Sequence, residues 1–241
     1  MTSKSNVIAR LDEAVDDFAK RTRLFADDAW TPNRCRAFVL QHRQNTRYRN
    51  SVLKLKVATN CPIWDIKLDI IAACSQEIIA DNEYGGGKPH WQILEDLGVR
   101  IGMDRDEIRN ATPTANTQLC WDAWGGLMTN THWLLGLIGN TCAERVNVPG
   151  YGNGAMREKG WFGVVRYIWQ DMWELDDKDV SFFKLHTEAD IEHSELGWRN
   201  VAEYADDLHL ADEVVEYLWR NLAVWERYFN GICEAGDALD A

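Results

Sequence analysis

The chain carries five prolines, Pro32, Pro62, Pro89, Pro113 and Pro149. Each stands at the start, or just past the end, of an apolar segment with helical spacing. Proline is tolerated in the first turn of a helix and excluded from its interior. Prolines confined to segment edges therefore divide the sequence into helices. The spacing predicts helices over about Asn6 to Asp27, Pro32 to Thr59, Pro62 to Asn82, Pro89 to Leu97, Pro113 to Asn147 with a break near Gly125-Gly126, Glu158 to Leu175, Val180 to Asp206 and Ala211 to Ala235. No stretch of strict apolar/polar alternation is bounded by hairpin turn residues. Internal repeats, low-complexity tracts and long linkers are absent from the sequence. The expected fold is all-α, in one domain over residues 1–241.

Composition removes several function classes. Apolar residues make up 46% and charged residues 27%, the balance of a folded globular chain. The net charge is −12, so polyanions and anionic lipid surfaces are repelled; neither a nucleic-acid nor a membrane partner is expected. The longest apolar run, near Trp133 to Gly139, is far short of the roughly 20 residues of a membrane span. The first residues, Met1 to Asn6, lack the apolar stretch of a secretory leader. The six cysteines include no C-x-x-C pair and read as reduced thiols in or near the core. A cytoplasmic location is expected. The glycine clusters at Gly85-Gly86-Gly87 and around Gly150 to Gly154 match neither a phosphate-binding loop nor a dinucleotide fingerprint.

The segment from Val180 to Asp206 carries the clearest chemical signal. His186, Asp190 and His193 fall at i, i+4 and i+7, on one face of a helix. Phe182, Phe183, Ala189 and Gly197 flank that row, so it reads as inward, whereas Glu188, Glu192 and Glu195 form a solvated row on roughly the opposite side. A buried aspartate beside two buried histidines is costly unless a cation or a hydrogen-bond network satisfies it. Glu144 ends an otherwise apolar stripe of Trp133 and Leu137, with Asn140 beside it, and reads as a ligand or a helix-end group reaching solvent. Glu83 closes the third segment, and His90 opens the fourth across the Gly85-Gly86-Gly87 turn, so the two could meet. The candidate metal ligands are Glu83, His90, Glu144, His186, Asp190 and His193. Nitrogen and oxygen ligands without thiolate suit iron or manganese better than structural zinc. Six ligands exceed one facial triad and suit two metals sharing carboxylates. The paired Glu-x-x-His motifs of ferritin-like bundles are not present, since only Asp190-x-x-His193 approximates one.

Asp81-Asn82-Glu83-Tyr84-Gly85-Gly86-Gly87 followed by His90 resembles the Glu-Tyr-Gly…His segment of the haem-oxygenase-like diiron oxidases. His186-x3-Asp190-x2-His193 is similar to the last metal-binding helix of that family, Glu144 falls where the family places its middle carboxylate, and Arg36 to His42 resembles its second helix. The resemblance runs from about Pro32 to Tyr204. It implies a haem-oxygenase-like bundle of about seven or eight helices. It also implies a site for two Fe(II) ions with O2 as co-substrate, and oxidation of a small organic molecule. The expectation is an amino acid or amine in a biosynthetic pathway, undergoing N-oxygenation or oxidative C–C or C–N cleavage. A fatty-acid oxidative decarboxylase on the same site, or a metal-independent thiaminase-like or cofactor-synthesis enzyme using a cysteine, are the alternatives. An external reductant fits the chemistry, and the aromatic content leaves room for a homodimer. Twelve tryptophans are read mainly as core. Arg47, Arg145, Arg166, Lys184 and Arg199 are the cations considered for a substrate carboxylate, and His42 is the further histidine that could face the site.

Overall fold

The computed structural model describes residues 4–239; Met1 to Ser3, at the start of the stretch read as lacking a leader, lie outside the described residues. Among the described residues, twelve α-helices run in chain order as α1 Lys4–Arg21, α2 Pro32–Tyr48, α3 Leu55–Asn60, α4 Trp64–Ile78, α5 His90–Arg100, α6 Arg105–Asn110, α7 Ala115–Thr129, α8 Trp133–Thr141, α9 Gly154–Lys159, α10 Trp161–Trp173, α11 Ser181–Tyr204 and α12 Ala211–Asp237. The expected all-α architecture is present, and no strand occurs among the described residues. None of their helices is long and apolar enough to cross a membrane.

Local chemistry explains the starts. Pro32 occupies the first turn of α2, and the Thr31 hydroxyl accepts from the Arg34 backbone N–H. Thr114 caps α7 in the same way, and Asp104 accepts from two backbone N–H groups of α6. The expected break at Gly125-Gly126 falls later, because both glycines lie inside α7. The chain turns at 130–132, where the His132 ring accepts from the Leu134 N–H and caps α8. The segment expected from Glu158 is likewise two helices, divided at Gly160, with φ of 73°. A Cβ there would sit 2.0 Å from the Asn147 carbonyl oxygen, so only glycine lets the start of α10 lie against that backbone.

Two long helices organise the core. α12 packs on α1, α2, α7 and α8, and α11 packs on α1, α5, α8, α10 and the short 3-10 turn Glu144–Asn147. Between α2 and α3 the helix does not stop. It widens into a π-helical turn, Arg49–Lys54, which buries Arg49, Asn50, Leu53 and Lys54. Such turns are rare and concentrate at functional sites. Here it brings two cations into the interior of the bundle.

Candidate metal centre

α4 buries Ile66, Ile70, Cys74 and Glu77. Their spacing of four, four and three residues is a single helix face, and Glu77 is its last member. Glu77 is 5% exposed. Two groups of ligand-bearing side chains gather around it. Glu77, His90 and His186 offer donor atoms within 4.8 Å of one another, and so do Glu77, Glu144 and His193. One carboxylate is therefore common to two sets.

Each partner is fixed from behind. After α4 ends at Ile78 the chain folds back, with the Gly87 N–H donating to the Asp81 carbonyl and the Asp81 N–H to that of Lys88. A Cβ on Gly85 would lie 2.7 Å from the Lys88 carbonyl oxygen, so this turn needs glycine. The buried Asp81 carboxylate accepts from the Glu83 and Tyr84 N–H groups and, at 2.9 Å, meets His90 Nε2. His90 Nδ1 is left 3.2 Å from Glu77 Oε1. On α11, His186 Nδ1 donates to the Phe182 carbonyl at 2.7 Å, which frees Nε2 as an acceptor or ligand. His193 Nε2 donates to Gln76 Oε1 at 2.8 Å, which frees Nδ1. Asn147 donates to Asp190 Oδ2 at 2.6 Å, and Lys54 donates to Glu144 Oε1 at 2.8 Å.

The electrostatics follow from burial and shared charge. Burial, then the charge of His90, pulls His186 down to about 3, and burial lowers His193, so both imidazoles are neutral and available as ligands. Burial, together with Glu144 and Glu77, pushes Asp190 well above the usual carboxylate range. Burial opposes ionisation of Glu77, yet the charge and hydrogen bond of His90, with Lys54, hold it well below its ordinary value.

Three buried polar atoms of this cluster have no hydrogen-bond partner: His193 Nδ1, Asp190 Oδ1 and Glu144 Oε2. Unpaired buried polar atoms are uncommon in folded proteins. Imidazole nitrogens and carboxylate oxygens without thiolate form a donor set that fits iron.

The structure brings His90, Glu144, His186, Asp190 and His193 into one region, with Asp190 adjoining the two groups rather than within them. It places Glu83 elsewhere. That side chain is exposed, beyond the end of α4, and Glu77 occupies the central position instead. Sequence reasoning extended the third helix to Asn82 and so carried its inward face too far along the chain. The Ile66-Ile70-Cys74 spacing was the signal for Glu77. Asp81, Asn147, Gln76 and Lys54 were also missed, since each acts by holding a ligand.

Beside the cluster is a cavity of about 50 Å³. Glu77, Glu144, His186 and Asp190 line it, together with His42, Arg49, Asn45 and Asn50 and the rings of Trp161, Phe162, Trp225 and Phe229. Of the cations considered from the sequence, Arg47, Lys184 and Arg199 are exposed, and Arg145 pairs with Glu195. Arg166 is half-buried and bonded to the Tyr167 hydroxyl, and none of these five lines the cavity.

Residues 37–226 match the family of iron-containing redox enzymes, and the chain belongs to that family. Its fold is haem-oxygenase-like. It superposes with a TM-score of 0.74, at 14% identity and over 98% of this chain and 94% of the other, on a domain of unknown function with a heme oxygenase-like fold from Shewanella denitrificans OS217. A CADD-like protein of unknown function from Nostoc punctiforme PCC 73102 superposes with a TM-score of 0.68 at 12% identity, over 94% and 97% of the two chains. In sequence the chain is similar to the 4-chloro-allylglycine synthase of Streptantibioticus cattleyicolor, 25% identical over 164 residues, which is 66% of this chain and 58% of that protein. The matched part is thus less than two thirds of that relative's length.

Proposed function

We propose that the protein is an O2-dependent, non-haem diiron oxidase of a short amino acid or amine, catalysing N-oxygenation or oxidative C–C or C–N cleavage. The observation that carries this reading is the sharing of Glu77 between two groups of ligand-bearing residues. His90 and His186 would hold one iron and Glu144 and His193 the other, with Glu77 between them and Asp190 at hand beside His193. Bound iron supplies the electrons for reducing O2, which side chains do not provide. The protein's own residues orient the ligands, keep His186 and His193 neutral, and line one side of the cavity with aromatic rings. The membership of an iron-containing redox family supports the reading, as does the similarity to an enzyme that makes an amino acid.

The cysteine-based, metal-independent alternative lacks a nucleophile of the required kind. All six thiols are buried. Burial pushes Cys35 and Cys142 up to about 12 and Cys74 and Cys120 up to about 11, far from a reactive thiolate. The test of the diiron reading is anaerobic loading with Fe(II), a count of iron per chain, and O2 uptake with amino acids present. About two irons per chain and substrate-stimulated uptake are expected. One iron or none after saturating Fe(II) overturns it.

A further inference from the structure

We propose that Arg49 is the carboxylate anchor of the substrate, and that the substrate is a short-chain α-amino acid held between the π-helical turn and the metal centre. This rests on the diiron reading for the reaction, but not for the binding.

Arg49 opens the π-helical turn and is 4% exposed. Its guanidinium lies 4.4 Å from the centroid of the Trp225 ring and 5.2 Å from that of Trp124. Nη2 donates to the carbonyl and side-chain oxygens of Asn140 at 3.2 and 3.3 Å. These partners are neutral. No carboxylate among the described residues lies within ion-pair distance of Arg49, although the neighbouring buried cations Lys54 and Arg43 each have one. An arginine stays charged in a protein interior; Glu144 and Glu77 attract this one from a distance, and no carboxylate contacts it directly.

The atoms around the cavity show what is missing. Arg49 Nε, Trp161 Nε1 and Trp225 Nε1 are buried donors with no acceptor, and all three residues line the cavity. An anion with two oxygens satisfies such a set, and arginine and indole N–H groups suit a planar carboxylate. The same lining contains an unpartnered acceptor, Asn50 Oδ1, next in sequence to Arg49. A donor-rich wall beside a free acceptor matches a carboxylate with an adjacent ammonium. Glu77, His186 and Asp190 line the cavity too, so a molecule anchored at Arg49 extends its side chain towards the cluster.

Polarity selects against a fatty acid. A space of about 50 Å³ holds a few waters, enough to seat the head of an amino acid. Asn45, Thr46, Asn50 and Asn147 give the lining a polar side, where a long alkyl chain needs a continuous apolar channel.

The test uses the full-length, iron-free protein and titration calorimetry, with intrinsic tryptophan fluorescence as a second readout. The probes are L-allylglycine, its carboxamide, and dodecanoate. The wild type is expected to bind L-allylglycine at least about tenfold more tightly than the carboxamide, which keeps the shape and loses the charge. Arg49→Gln is expected to abolish that preference and Arg49→Lys to keep part of it. Equal binding of acid and amide by the wild type, undiminished acid binding by Arg49→Gln, no binding of L-allylglycine, or tighter binding of dodecanoate each overturns the proposal. The wild-type comparison needs no variant, so a poorly folded Arg49→Gln chain leaves it decisive. Iron per chain, measured on a separate portion of the same protein, reports on the diiron reading alone.

Discussion

Asp81 grips His90 from behind: its Oδ2 lies 2.9 Å from Nε2 of the ring, and the other ring nitrogen stands 3.2 Å from Glu77. The same carboxylate accepts two backbone N–H groups of the turn through its Oδ1. One side chain therefore fixes both the glycine turn and the orientation of a ligand.

Replacing Asp81 with alanine should weaken metal binding without removing a ligand. Groups that orient a ligating histidine contribute about 10–100-fold in metal affinity, and a loss in that range is expected for Asp81→Ala. Competition with a chromophoric Fe(II) chelator measures it, with circular dichroism to verify the helical fold. Unchanged affinity with an intact fold would show that the ring is held by its packing alone.

Glu77 and Glu83 give a sharp pair of substitutions. Glu77 is common to both ligand groups, so Glu77→Gln should lose both irons, while Glu83→Gln should keep them, because that side chain is exposed and outside the cluster. Iron per chain after anaerobic loading and desalting distinguishes the two. Retention of iron by Glu77→Gln together with its loss in Glu83→Gln would reverse the assignment.

How far the sequence could be read follows from the same residues. The all-α fold was legible because the five prolines sit at element edges and alternation is missing. The inward face of α11 was legible because a row of His186, Asp190 and His193 can be seen in 24 residues of regular helix. The face of Glu77 was legible as well, since Ile66, Ile70 and Cys74 point to it at helical spacing, but the end of α4 was not, because it depends on the Asp81 turn, and a helix extended to Asn82 shifts the choice to Glu83. Lys54 was hidden for a related reason. A π-helical turn shifts the register of the residues beyond its start, so counting at 3.6 residues per turn from α2 misplaces Lys54, whereas Arg49, at the start of the turn, keeps the spacing of the buried Asn45 and Thr46.

The cysteines make a prediction about reactivity. All six are buried, and the shifts of Cys35, Cys74, Cys120 and Cys142 arise chiefly from desolvation of the thiolate. A thiol-disulfide reagent at pH 8 should react with the native chain very slowly at every site, and with six thiols per chain once the protein is unfolded in guanidinium. A thiol that reacts rapidly in the native state would restore a cysteine nucleophile to consideration and should be located by peptide mapping.

Lys54 is 1% exposed and is bonded to Glu144, whose side chain keeps 14% exposure. Removing one partner of a buried ion pair leaves the other charge uncompensated, at a cost of about 3 kcal/mol for a pair with one partly exposed member. For a chain of this size, that cost lowers Tm by roughly 6–12 °C. Lys54→Met should show such a loss in the iron-free protein. The loss should shrink when Fe(II) is bound, because a cation at Glu144 replaces the missing ammonium and ligand binding stabilises the native state. The double change Lys54→Met with Glu144→Leu should recover most of the iron-free stability, since neither charge is then buried, while holding less iron. Calorimetric melts of the three proteins with and without Fe(II) measure all of this. Iron-free Lys54→Met as stable as the wild type, or a double variant no better than the single one, would show that the Lys54–Glu144 contact contributes no charge compensation.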